Sequence, residues 1–98
     1  MMYNVIYSPR SIRSLRQIFK YLAEKSEVAP FTVVSRIRDK IDALKGFPFI
    51  GKVVEKRPRF RQLVMDKYLI FYEVIEKKRQ VRIVDIIHSR RQSEIDRL

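Results

Sequence analysis

The chain contains no cysteine. Disulfides, thiolate metal sites and a covalent cysteine nucleophile are therefore excluded. No apolar run approaches the roughly 20 residues of a membrane-spanning helix. The start, Met1-Met2-Tyr3-Asn4, lacks the basic-then-apolar layout of a signal peptide. A cytoplasmic protein without membrane contact is the expectation. There is no phosphate-binding glycine loop, no zinc-ligand spacing, no His-Glu-x-x-His helix and no Ser-His-Asp layout, so no metal and no cofactor is expected. Acids are few and scattered, which argues against a Mg²⁺-dependent nuclease. Internal repeats and low-complexity segments are absent, and histidine occurs once.

What is present is positive charge. Lys and Arg number 22 against 11 acids, a formal +11 with a pI near 10.4. Such a surface attracts polyanions: nucleic acid, acidic protein segments or anionic lipid. The plainer reading is a small protein kept soluble by one-sided charge. The 98 residues suffice for one domain, 1–98, with one core, and 46% apolar content supports folding rather than disorder.

The most apolar stretch, Gln62 to Val74, is interrupted only by Asp66-Lys67. Its Tyr, Ile, Phe, Leu and Val suit two strands joined by a tight turn, the second covering about Lys67 to Ile75. Tyr68, Ile70, Tyr72 and Val74 then face one way, and Leu69, Phe71, Glu73 and Ile75 the other. The polar turn Glu76 to Gln80 precedes a further strand, about Val81 to His88, apolar on both faces and so expected to be central. Ahead of these lie a short first strand at 3–7 and a helix from Pro9 to Lys25, with Ser8 as its cap and Ile12, Leu15, Phe19 and Leu22 as its apolar stripe. After a connection at 26–29, a second helix runs from Pro30 to Lys45. Its stripe is Val34, Ile37, Ile41 and Leu44, and Gly46 stands where a left-handed cap is expected.

Phe47-Pro48-Phe49-Ile50-Gly51 is a loop whose apolar side chains are expected to tuck against the core. The basic stretch from Lys52 to Arg61 starts as loop or edge strand and becomes a strand by Phe60. Residues 89–98 form a short helix or a loose tail anchored by Ile95 and Leu98. The expected architecture is α+β: an N-terminal strand and a helical hairpin packed on one face of a small antiparallel sheet. The other face is then free to be a concave, basic site.

His88 is the one side chain that ordinarily titrates near neutrality. With Arg90, Arg91 and Arg61 it supplies an acid or base beside groups that neutralise phosphate charge, a workable RNA-cleaving set. Alternatively, a histidine at a strand end bonds nearby backbone and is structural. Lys56, Arg57, Arg59, Arg61, Arg82, Arg90 and Arg91 are candidates for a basic surface toward protein or RNA. Arg10, Arg13, Arg16 and Lys20 read as a solvated helix face. Phe60, Tyr68 and Tyr72 could stack on bases, although rings in a sheet with a buried face more often belong to its core.

These pieces in this order resemble the RelE/ParE superfamily of bacterial toxins from type II toxin–antitoxin modules, over nearly the whole chain. The resemblance rests on Ser8-Pro9, Phe47-Pro48-Phe49-Ile50-Gly51, Arg61-x-Leu63, Tyr68-x-Ile70-Phe71-Tyr72-x-Val74 and Val81-x-Ile83-Val84-x-Ile86-Ile87-His88-x-x-Arg91. It looks closest to the ParE branch. That likeness implies a growth-inhibiting, plasmid-stabilising toxin that binds DNA gyrase. It also implies a cognate antitoxin as partner, with a homodimer or a toxin–antitoxin hetero-oligomer as assembly. The RelE branch instead implies a ribosome-dependent mRNA endoribonuclease, for which His88, Arg90 and Arg61 would be the catalytic set. That branch carries an arginine where this chain has Leu69, and a functional tyrosine where residues 89–98 have none.

Overall fold

The computed structural model describes residues 2–25 and 29–98, for 95–97 the backbone alone. The expected connection at 26–28 and the Ile95 anchor lie outside the described residues. The elements in order are β1 (Asn4–Tyr7), α1 (Pro9–Lys25), α2 (Pro30–Asp42), β2 (Lys52–Val53), β3 (Arg61–Met65), β4 (Tyr68–Ile75) and β5 (Gln80–His88). The strands form one sheet in the order β1-β5-β4-β3-β2. All neighbours are antiparallel except β1, which runs parallel to β5. The α+β reading therefore holds, with one change: the sheet is antiparallel only over β2–β5. No described helix is long and apolar enough to cross a membrane.

Ser8 joins sheet and helix. A bulge in β5 leaves Val84 without a partner, because Phe71 faces Asp85 and the next residue, Tyr72, faces Ile83. Ser8 N–H donates to the Ile83 oxygen (3.0 Å) and its hydroxyl to the Val84 oxygen (2.8 Å). The same Oγ accepts the Ser11 N–H at 3.0 Å, capping α1. Ser11 is fully buried, its own hydroxyl satisfied by the Ser8 oxygen at 2.8 Å. The inward face of α1 is thus buried Ser11 and Leu22 with half-buried Leu15 and Ile18, so that Leu15 and Leu22 keep their place in the expected stripe. Ile12 turns outward, because a serine that returns its hydrogen bond to the preceding turn can occupy a core position.

α2 follows its expected stripe, with Ile37, Ile41 and Leu44 fully buried. Its end differs. The α-helix stops at Asp42 and a 3-10 turn, Ala43–Lys45, completes it. Gly46 then has φ −99° and ψ −22°, so the expected left-handed cap does not form. The tighter turn already occupies the Ala43 carbonyl, through the Gly46 and Phe47 N–H groups. Left-handed backbone appears instead at Asp66 (φ 54°) and Arg79 (φ 49°), the two hairpin turns. Arg36 of α2 pairs with Asp66 at 3.1 Å and ties the first turn to the helix.

The core has two sides. On the helical side, Ile37, Ile41 and Leu44 pack with Tyr68, Ile70, Tyr72, Val81, Ile83 and Ile86. The opposite face is not the free, concave surface expected. Leu69, Phe71, Val84 and Ile87 are buried there under Val54 and Phe60, with Leu98 packed against them. The segment after β2 folds back over this face because Val54 and Phe60 close a small ring: Val54 N–H donates to the Phe60 oxygen at 2.9 Å. The loop before β2 behaves in the opposite way from expectation. Phe47, Phe49 and Ile50 point to solvent and only Pro48 and Gly51 are buried. Its backbone is the part that faces the protein, held by Tyr72 and Arg61.

Candidate functional site

The residues named from sequence fall in three places. His88 ends β5 opposite Tyr68, and their rings meet edge to face with centroids 5.4 Å apart. The backbone N–H of Arg90 (3.2 Å) and its Nε (3.4 Å) both donate to His88 Nδ1. The neutral ring therefore carries its proton on Nε2. A cavity of about 300 Å³ opens here, lined by Gln17, Tyr21, Tyr68, His88, Arg90 and Arg91 among others. Partial burial lowers the imidazole pKa below its ordinary value, and the charges of Arg90 and then Lys67 lower it further. Burial raises that of the Tyr68 phenol, with Tyr21 adding to the effect and Arg90 opposing it. At neutral pH both groups are uncharged, and His88 is a base with a neighbouring cation.

A pH dependence follows from that shift. The folded state resists protonating His88, so on acidification the unfolded chain binds this proton first. The stability involved is present above the ordinary histidine pKa and is lost as pH falls toward the depressed value. Urea midpoints at pH 7.5 and pH 5.5 should therefore fall further apart for the wild type than for His88→Gln. Equal losses in both proteins would contradict the assignment.

Arg61 is elsewhere. It pairs with Tyr72, four residues along β4 from the partner of His88, about 13 Å at the rise of a strand. Its guanidinium donates to the Phe49 (3.1 Å) and Gly51 (2.8 Å) oxygens and lies over the Phe49 ring. It is the clamp of the 47–51 loop and does not converge with His88 and Arg90. Lys56 is also apart, lining a small cavity with Lys52, Gln62 and Gln92.

Arg57, Arg59 and Arg82 do converge, and the structure adds two residues that sequence assigned to a solvated face. Arg10 and Arg13, from the first turns of α1, line the same cleft of about 380 Å³. Arg57 and Arg59 lie over the Phe60 ring at 5.6 and 4.9 Å. Arg59 pairs with Glu73 at 3.1 Å and Arg82 with the same carboxylate at 3.6 Å. Arg10 approaches Asp85 at 3.7 Å, and Asp85 also accepts from Ser14 at 2.6 Å. Arg57 donates to the Leu98 main-chain oxygen at 2.6 Å. Only the strand order could have revealed this cluster, since β1 places the start of α1 beside β5. Arg91 pairs with Glu94 and faces a neighbouring cavity with Arg10 and Arg13. Phe60, Tyr68 and Tyr72 are buried, as core rings are, and offer no face for a base.

A third feature is apolar. Between α1 and α2 runs a groove of about 540 Å³ lined by Tyr7, Ile12, Leu15, Phe19, Phe31 and Val34, with Arg16 and Arg38 on its rim. Phe31 is 74% exposed and meets Phe19 edge to face at 5.2 Å. Among the described residues no group of three or more His, Cys, Asp or Glu could hold a metal ion.

Comparison with known proteins gives the following. Residues 5–93 match the family described as ParE toxin of type II toxin-antitoxin system, parDE. No curated protein matches the chain. Among solved structures, the fold is similar to a chain of the chromosomal ParDE system from P. aeruginosa, at 16% identity and TM-score 0.74, covering 89% of this chain and 96% of that one. It is similar to a chain of the RelBE2 toxin–antitoxin complex from Mycobacterium tuberculosis, at 16% identity and TM-score 0.68, covering 90% and 99%. It is also similar to a mutant E. coli toxin RelE in the free state, at 17% identity and TM-score 0.70, covering 95% and 90%.

Proposed function

This chain belongs to the ParE family of toxins from type II toxin–antitoxin systems, and from that premise we propose that it arrests growth by binding DNA gyrase rather than by chemistry of its own. The observation that carries this reading is Leu69. The RNA-cleaving branch of the superfamily has an arginine at this position, whereas Leu69 is only 5% exposed and packs with Val54, Phe60, Phe71, Val84 and Ile87. The place where a nuclease site would need that particular cation is filled by hydrocarbon. Residues 89–98 hold no tyrosine to replace the other expected group.

The partner that neutralises it is a cognate antitoxin, joined in a toxin–antitoxin hetero-oligomer in the cytoplasm and serving plasmid stabilisation. The groove between α1 and α2 suits an amphipathic antitoxin helix. Phe19, Phe31 and Ile12 would take its apolar side and Arg16 and Arg38 its acids. The +11 charge would speed their encounter.

A second reading is kept by the His88 corner. A neutral imidazole and Arg90 beside a cavity of about 300 Å³ are the elements of an acid–base ribonuclease, without Arg61. The test is a supercoiling assay with purified gyrase, run beside a translating extract probed for mRNA cuts. Gyrase inhibition unchanged in His88→Ala is the expected result. Ribosome-dependent cuts that vanish in His88→Ala or Arg90→Ala would overturn the gyrase reading and establish the second.

A further inference from the structure

We infer that the arginine cleft at the start of α1 binds the phosphodiester backbone of a nucleic acid. Three guanidiniums at its mouth, Arg13, Arg59 and Arg82, come from a helix, a loop and a strand far apart in sequence. Between them they have one carboxylate, Glu73, shared by Arg59 and Arg82. Arg13 makes no ion pair among the described residues. Like charges so placed repel one another, and packing does not require them there, since the Arg59 side chain is 70% exposed and that of Arg82 41%. The Arg59 guanidinium is nevertheless set in advance by its hydrogen bond to Glu73 and by the Phe60 ring, and Arg82 is drawn toward the same carboxylate. Pre-oriented planar guanidiniums are the groups that hold phosphate oxygens two at a time.

The chemistry of the walls selects the ligand. An amphipathic acidic peptide needs a continuous apolar surface beside its charges, and this cleft shows only Pro9 and part of Leu98, because Phe60 (3%) and Val84 (6%) are buried beneath the arginines. Clustered exposed apolar groups lie instead in the groove between the helices and on the 47–50 loop, with single ones such as Val53 and Val64 on the strands. A phosphodiester chain asks only for charge and donors. With no aromatic face exposed in the cleft, bases are not stacked, and binding is to the backbone without sequence preference.

This inference does not rest on gyrase as target. The experiment is fluorescence anisotropy of the full chain with a labelled 20-base-pair DNA duplex, a single-stranded RNA of matching length and a poly-glutamate chain, from 50 to 200 mM salt. Arg13→Glu/Arg59→Glu should weaken nucleic-acid binding at least tenfold. It should also lower the slope of log affinity against log salt by about 2, one unit for each phosphate no longer neutralised. Lys25→Glu/Lys40→Glu makes the same change in net charge at the far end of α1 and on α2, away from the cleft, and should cost less than threefold. Tighter binding of the duplex than of the RNA names DNA as the source of the phosphates, and the reverse order names RNA. Equal losses in the two double variants would overturn the inference in favour of diffuse net charge. Poly-glutamate bound as tightly as either nucleic acid would overturn it in favour of an acidic protein. Arg13 and Arg59 are both exposed, so the variant should melt within a few degrees of the wild type. Should it not, Arg13→Gln alone is expected to lower the slope by about 1, and an unchanged slope counts against the cleft.

Discussion

Leu69→Arg, the substitution that restores the residue of the RNA-cleaving branch, is expected to destabilise this protein by about 3–5 kcal/mol and to confer no RNA cleavage. Leu69 pairs with Val64 on one side and Ile87 on the other, and its side chain enters the second core beneath Phe60. An arginine there gives up the packing of the buried leucine. It must also either bury its charge among Val54, Phe71 and Val84 or push aside the 54–60 segment to reach water. Domains of this size are held by about 5–15 kcal/mol, so the loss takes a large share of the total. Leu69→Met keeps the volume and should cost below about 1.5 kcal/mol. Urea unfolding of the three proteins gives the comparison. A Leu69→Arg protein within about 1 kcal/mol of the wild type would mean that the second face accepts a cation, and the case against a nuclease would lose its structural support.

Gly51→Ala is expected to cost about 3 kcal/mol, the sum of an overpacked contact and a damaged hydrogen bond. A Cβ at Gly51 would stand 2.5 Å from the Tyr72 hydroxyl oxygen, 2.7 Å from its Cε1 and 2.9 Å from the Gln62 carbonyl oxygen. None of these can step aside easily. Gln62 is in β3, and Tyr72 is fully buried with its oxygen accepting the Gly51 N–H at 2.8 Å. Tyr72→Phe removes the nearest obstacle together with the acceptor. The double variant Gly51→Ala/Tyr72→Phe should therefore lose less than the two single losses added. Strict additivity would show that the methyl group meets something other than the tyrosine. Gly46 is the contrast: a Cβ there meets nothing within 4 Å, and Gly46→Ala should be neutral or stabilising by about 0.5 kcal/mol.

Local signals are legible in this sequence and long-range ones are not. Ser8-Pro9 and Pro30 marked helix starts because capping chemistry is confined to a few neighbouring residues. The alternation of Tyr68 to Val74 assigned faces correctly because a strand has only two. The second core is not legible in the sequence, since Leu98 is far from Val54 and Phe60 in the chain and only the backbone path brings the three over Leu69 and Phe71. Phe47, Phe49 and Ile50 were misplaced by a rule that sends apolar side chains inward. Here Tyr72 and Arg61 hold the loop by its main chain and leave those side chains outside. The candidate site was legible in part. Arg57, Arg59 and Arg82 were named, but their convergence with Arg10 and Arg13 depends on the parallel pairing of β1 with β5, which no local pattern announces.

The Ser8 linkage to the β5 bulge also sets an order of events. Its hydrogen bond to Val84 spans 76 positions of the chain, and β5 is the strand that both β1 and β4 must join. During synthesis, β1 and both helices leave the ribosome with no sheet to dock on. A nascent chain that ends before Val84 has no complete seat for β1 and Ser8. Contacts this distant in sequence close slowly. The arginine cleft, which takes Arg82 and Val84 from β5, therefore comes into being later than the groove between the helices, whose walls all come from residues 7–38. A ligand that reads the cleft meets a sheet already closed by β5 and not a growing one.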